Sequence, residues 1–118
     1  MIAAPNKGID ESILDYCYVL GSKLECRDMD ENSLFINKLN YDAFPTVKTY
    51  NIIGQGCAMD GETGDGIVRI SSAKLDNAEN YYVNGSCSGI SFLHENILNP
   101  ENYPEAYRII SESLKKSL

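Results

Sequence analysis

The chain has one histidine, His94, in 118 residues. None of its four cysteines forms a C-x-x-C pair, so a lone imidazole gives little support to a zinc site. Basic residues are also sparse: ten Lys and Arg stand against 17 Asp and Glu, for a formal net charge of −7. They are scattered, and Lys115-Lys116 is the only adjacent pair. This excludes the clustered positive surface that nucleic acids and anionic membranes require. No apolar run approaches membrane-spanning length. The start, Met1-Ile2-Ala3-Ala4-Pro5, lacks the basic residues and long apolar stretch of a signal peptide. A chain that begins there naturally is expected in the cytoplasm. Internal repeats and low-complexity segments are absent.

What remains is ordinary globular material, 43% apolar and 23% charged. The length allows one domain, 1–118, with a modest core. Four cysteines are too few for a disulfide scaffold in a chain of this size. They are expected to be free or only opportunistically paired. A small secreted domain held by disulfides is the alternative, and a mass measurement with and without reductant separates the two.

Ile2-Ala3-Ala4-Pro5 reads as the end of a buried strand that breaks into a loop. Asp10 can cap a helix in which Ile9, Ile13, Leu14, Cys17 and Leu20 recur at helical spacing, with Gly21 as its stop. A second, shorter helix is expected over Asp30 to Leu39, bounded by Asn40 and Pro45. Thr46 to Gly54 reads as a strand buried on both faces. A Gly- and Asp-rich loop follows to Gly66, then a short helix over Ser71 to Leu75. Asn80-Tyr81-Tyr82-Val83 is a second strand, ended by Asn84-Gly85. The last helix should begin at Pro104, where a missing N–H costs nothing. Ala106, Ile109, Ile110 and Leu114 give it an apolar face, and Lys115 and Lys116 suit its C-terminal dipole. This alternation predicts an α/β fold with a mostly parallel sheet and flanking helices.

In such sheets the loops that leave the carboxyl ends of strands carry the chemistry. Asp65 lies in one of these loops and His94 in the next, 29 positions on. Two parallel neighbouring strands would bring them to one sheet edge. Asp65 could instead only serve an Asp-Gly turn, and His94 could be structural. Asp60 is a rival acid, also followed by glycine. Asp60, Glu62 and Asp65 could together hold Ca²⁺, but their spacing does not match an EF-hand loop. Gly85-Ser86-Cys87-Ser88-Gly89 reads as a cysteine version of a nucleophile elbow. His94 would then share its loop, so the pattern is taken as a coincidence of small residues. Tyr81 and Tyr82 are read as packing residues rather than as the lining of an acyl pocket.

Several segments, in order, resemble the C-terminal part of a lipase or esterase of the α/β-hydrolase superfamily. Ile2-Ala3-Ala4-Pro5-Asn6-Lys7-Gly8 is similar to the strand end and "PxxG" loop after the nucleophile helix. Asn32 to Asn40 is similar to the cap-region helix "S-x-F-L-x-x-L-N", and Tyr50-Asn51-Ile52-Ile53-Gly54 to the strand before the acid. Asp65 to Leu75 resembles the acid loop "D-G-x-V-x-x-x-S-A-x-L", and His94 to Pro100 the histidine loop "H-x-x-I-L-x-x-P". The resemblance implies that Asp65 is the acid and His94 the base of a Ser-His-Asp triad. It implies a carboxylic ester or acyl lipid as substrate, and no metal or organic cofactor. The serine, in its G-x-S-x-G elbow, would precede Met1, so the chain alone is expected to be inactive. An exposed sheet edge would then invite a separate N-terminal hydrolase half, or self-association. A non-enzymatic remnant acting as a binding or interaction module is the competing expectation.

Overall fold

In a computed structural model, residues 1–41 and 46–118 are described, apart from the Leu20 side chain. Helix α1 (Glu11–Leu20) begins where the Asp10 carboxylate accepts from the Ile13 N–H, 3.2 Å away, and ends at Gly21. A second helix, α2 (Lys23–Met29), follows at once, capped by the Ser22 hydroxyl on the Glu25 N–H. The sequence reading missed it because Cys26 is its only buried residue. The signal was a serine followed three positions later by glutamate. Helix α3 (Leu34–Tyr41) starts later than expected. Asp30 to Ser33 make a turn instead, in which the Ser33 hydroxyl caps the Ile36 N–H. The expected boundary at Pro45 lies outside the described residues.

Strand β1 (Tyr50–Gln55) is shorter at its start than expected. Val47 is solvent-exposed, and parallel pairing begins only at Tyr50, opposite Glu79. The stretch read as a plain loop contains an antiparallel hairpin, β2 (Cys57–Met59) and β3 (Glu62–Gly64). It turns through Asp60-Gly61, with Gly61 at φ +80°, and an Asp-Gly pair between short strands is a hairpin signal. Helix α4 (Ile70–Ala73), strand β4 (Glu79–Asn84), helix α5 (Leu93–Asn96) and helix α6 (Pro104–Ser117) complete the order.

Strands β1 and β4 pair in parallel, and Ile2 forms a parallel bridge to Ile52 on the opposite side of β1. Two side-chain rungs accompany the β1–β4 ladder. Asn51 donates to Asn80 Oδ1 (2.9 Å), and Gln55 donates to Asn84 Oδ1 (2.7 Å). Successive residues of β1 point to opposite faces. Ile52 joins Ala3, Val83, Leu93, Ile97, Ala106 and Ile109 in a core beneath α5 and α6. Ile53 packs on the other face with Val68 and Ala73, next to α4. The chain is therefore of mixed α/β class, with a small parallel sheet between helices. A third cluster, Ile9, Leu14 and Cys26, holds the N-terminal helices together.

Helix α6 turns its face differently from the expectation. Ser113 is buried with Ala106 and Ile109, while Leu114 is 63% exposed. Positions 106, 109, 110 and 113 form the i, i+3, i+4, i+7 stripe that faces the sheet, and 114 falls outside it. Tyr81 packs against the core and Tyr82 is exposed.

Of the expectation of free or only opportunistically paired cysteines, the first half fails: all four cysteines are paired. Cys17 pairs with Cys26, and Cys57 with Cys87. The first bond staples α1 to α2 across Gly21. The second joins the hairpin to the loop after β4. Neither pairing follows from sequence spacing, because each depends on tertiary approach.

Candidate active site

Asp65 follows β3 directly, and its position is over-determined. Its Oδ1 accepts from the N–H groups of Ile67 (2.9 Å) and Val68 (2.7 Å), and its own N–H donates to the Val68 carbonyl (3.1 Å). An aspartate that folds its side chain back on the amides two and three residues on makes a tight, self-contained turn. Gly66, at φ +96°, completes it. The carboxylate is almost wholly buried, with 1% of the side chain exposed. Gly54, near the end of β1, allows this placement. A Cβ there would stand 2.7 Å from Asp65 Cβ and 3.2 Å from Leu93 Cδ2.

His94 is the second residue of α5, one position after the fully buried Leu93. Its main-chain N–H donates to the Asp65 carbonyl (2.9 Å), and its Nδ1 lies 2.8 Å from Asp65 Oδ2. The carboxylate can only accept, so Nδ1 carries the proton. In the neutral ring this leaves Nε2 as a free acceptor. Nε2 makes no hydrogen bond among the described residues, and 32% of the side chain is open to solvent. The bond to Asp65 holds the imidazole pKa above its ordinary value of 6.5. Burial opposes that shift, and the negative charges of Asp65 and Glu95 add to it.

The other candidates fall away on contacts. Asp60 is 90% exposed and lies 4.0 Å from the Arg69 guanidinium. Glu62 accepts from the Ser71 N–H and hydroxyl near the start of α4. With Asp65 turned toward His94, the three carboxylates do not converge on a cation. Among the described residues no group of three His, Cys, Asp or Glu side chains could hold a metal ion. Cys87 is disulfide-bonded, so the G-x-C-x-G stretch carries no thiol. No serine among the described residues hydrogen-bonds to His94.

The arrangement is a histidine–carboxylate pair with no serine or thiol bonded to it among the described residues. A neutral imidazole fixed by a buried carboxylate can take a proton at Nε2, and the same carboxylate then stabilises the imidazolium. Sequence reasoning brought together the two residues that do meet. It missed Gly54, whose role depends on a close approach, and the Cys57–Cys87 bond beside the pair. No protein-family model, curated protein or solved structure matches the chain.

Proposed function

We propose that Asp65 and His94 are the acid and base of a serine ester hydrolase of α/β-hydrolase type. The nucleophilic serine would come from a polypeptide segment outside residues 1–118. The observation that carries this reading is the Asp65–His94 hydrogen bond at the carboxyl ends of two adjacent parallel strands. The parallel order of β1 and β4, with the Ile2 bridge beside β1, supports it, because the segments that follow them leave from one edge. In the reaction the serine hydroxyl passes its proton to His94 Nε2 and attacks the ester carbonyl. His94 then returns the proton to the leaving alcohol, and Asp65 holds the ring throughout. A buried carboxylate and a ring about one-third open to solvent suit those two roles. Paired cysteines favour an oxidising compartment over the cytoplasm.

The test uses the protein as purified from its natural source. A fluorophosphonate probe, which reacts with activated serines, should label a serine on the polypeptide that contains or accompanies residues 1–118. The same material should hydrolyse p-nitrophenyl esters, and His94→Ala should lower that rate at least about a thousandfold. Material that neither takes the probe nor hydrolyses esters would overturn the reading.

A further inference from the structure

The sulfur of Cys87 lies against the backbone of the Asp65–His94 pair. It is 3.5 Å from the Asp65 carbonyl oxygen, the same oxygen that accepts from the His94 N–H. The Leu93 N–H, one residue before His94, points at it from 3.4 Å. A Cβ on Gly66 would lie 2.8 Å from it. The other end of the bond, Cys57, is buried and stands directly opposite Gly64, the residue before Asp65. The disulfide thus grips both residues of the pair through the backbone next to each.

The segment that leads into His94 has little regular structure. Between Asn84 and Leu93 the chain forms an exposed loop with one isolated bridge, Ser88 to Ser91. Helix α5 is only four residues long, too short to hold its own orientation by internal hydrogen bonds. Leu93 anchors the base of the helix in the core. Ile97 anchors the other end of the helix in the same core, and residue 94 between them is further held by its bonds to Asp65 and by the sulfur beside Leu93.

We propose that the Cys57–Cys87 disulfide positions the acid–base pair, so that Asp65 and His94 are aligned in the oxidised chain and released from each other when the bond is reduced. This rests on the reading of Asp65 and His94 as acid and base. A dithiol reductant supplies two electrons and two protons. The S–S bond breaks, Cys57 and Cys87 become thiols, and the reductant closes to its own disulfide. Loop 85–92 then loses its covalent tie to the hairpin and keeps only noncovalent contacts, such as the Gly85 N–H on the Gln55 carbonyl and Phe92 beside Gly66. Cys17–Cys26, in a different core cluster on the N-terminal helices, has no such connection to His94.

The experiment follows His94 by NMR in a Cys17→Ser/Cys26→Ser variant, where Cys57–Cys87 is the one bond dithiothreitol can open. The oxidised protein should show a low-field Nδ1 proton and a His94 pKa above the ordinary value. Reduction should abolish the low-field signal and return the pKa toward about 6.5, while the core methyl signals of Val83 and Ile109 stay dispersed. Reoxidation should restore both. A Cys57→Ser/Cys87→Ser variant that keeps Cys17–Cys26 should behave as the reduced form. A low-field signal that survives reduction overturns the proposal. So does a signal lost together with all core dispersion, since the bond would then be a general staple. If oxidised protein lacks the signal, and Asp65→Asn leaves the His94 pKa unchanged, the acid–base reading fails and the positioning role fails with it.

Discussion

His94 hydrogen-bonds to Asp65 twice, through its main-chain N–H to the carbonyl at 2.9 Å and through Nδ1 to Oδ2 at 2.8 Å. The first bond places the residue and the second places the ring. A partner that fixes both backbone and side chain leaves the imidazole one working nitrogen, which is what general-base chemistry asks of it.

The pair makes stability depend on pH in a definite direction. The folded-state pKa of His94 is raised, so the folded chain binds a proton more tightly than the unfolded chain. The stabilisation is fully present below the unfolded value of about 6.5 and is lost as pH rises through the folded value. Urea midpoints measured from pH 5 to pH 9 should fall across that window in the wild type. In His94→Gln the fall should vanish. An unchanged slope in the variant would assign the effect to another group.

Activity of the proposed hydrolase should run the opposite way. The base works only when neutral, so kcat/KM should rise with pH along a limb set by the raised His94 pKa. Asp65→Asn should lower kcat on the order of 10⁴-fold, because the amide favours the wrong tautomer of the ring. Retention of most activity in Asp65→Asn would remove the residue from the acid role.

Gly54→Ala is predicted to damage the site from a distance. The new methyl would overlap Asp65 Cβ, and neither β1 nor the turn at Asp65 has slack to yield. Overpacking of this kind costs about 1–3 kcal/mol. Chemical denaturation should show that loss, and the His94 Nδ1 proton should shift or broaden. A variant with wild-type stability and an unaltered Nδ1 signal would show that the strand relaxes freely.

Peptide mapping without reductant should recover Cys17 linked to Cys26 and Cys57 linked to Cys87, and reduction of the intact chain should add about 4 Da. By loop-closure entropy the two bonds contribute unequally. Loss of the longer loop, with a sequence separation of 30, costs about 4 kcal/mol, and loss of the shorter, with a separation of 9, about 3 kcal/mol. Equilibrium unfolding of the two Cys→Ser pairs should give that order.

Much of the site was legible because two residues announced it by their surroundings. Asp65 sits in an Asp-Gly turn followed by Ile67 and Val68, and His94 is the chain's one imidazole, placed in the segment that follows the second strand. Loops after parallel strands converge, so the expectation that they meet needed only the topology, and β1 and β4 supply it. The coarse α/β class was legible from the same alternation. Helix α2 was not, because its residues are mostly polar and it is held by a cap and a disulfide rather than by an apolar stripe. The β2–β3 hairpin was hidden by strands of three residues, too short for alternation to register. The disulfides and the role of Gly54 depend on distances between segments far apart in the chain, which composition and spacing do not encode.

The amide rungs along β1 and β4 bear on the site without touching it. Asn51 is fully buried, and its amide donates to both Asn80 and the Ala73 carbonyl. The smallest sliding of one strand along the other that keeps Ile52 and Ile53 on their own faces is two residues, roughly 6.6 Å. That slide would set Asn51 opposite Ala78 or Tyr82 and strand a buried amide, at a cost of about 1–3 kcal/mol. It would also carry the loop of one strand past the loop of the other by more than twice the length of the Asp65–His94 bond. The two rungs therefore work as an index mark between the strands. Each folding event sets Asp65 and His94 at one fixed offset.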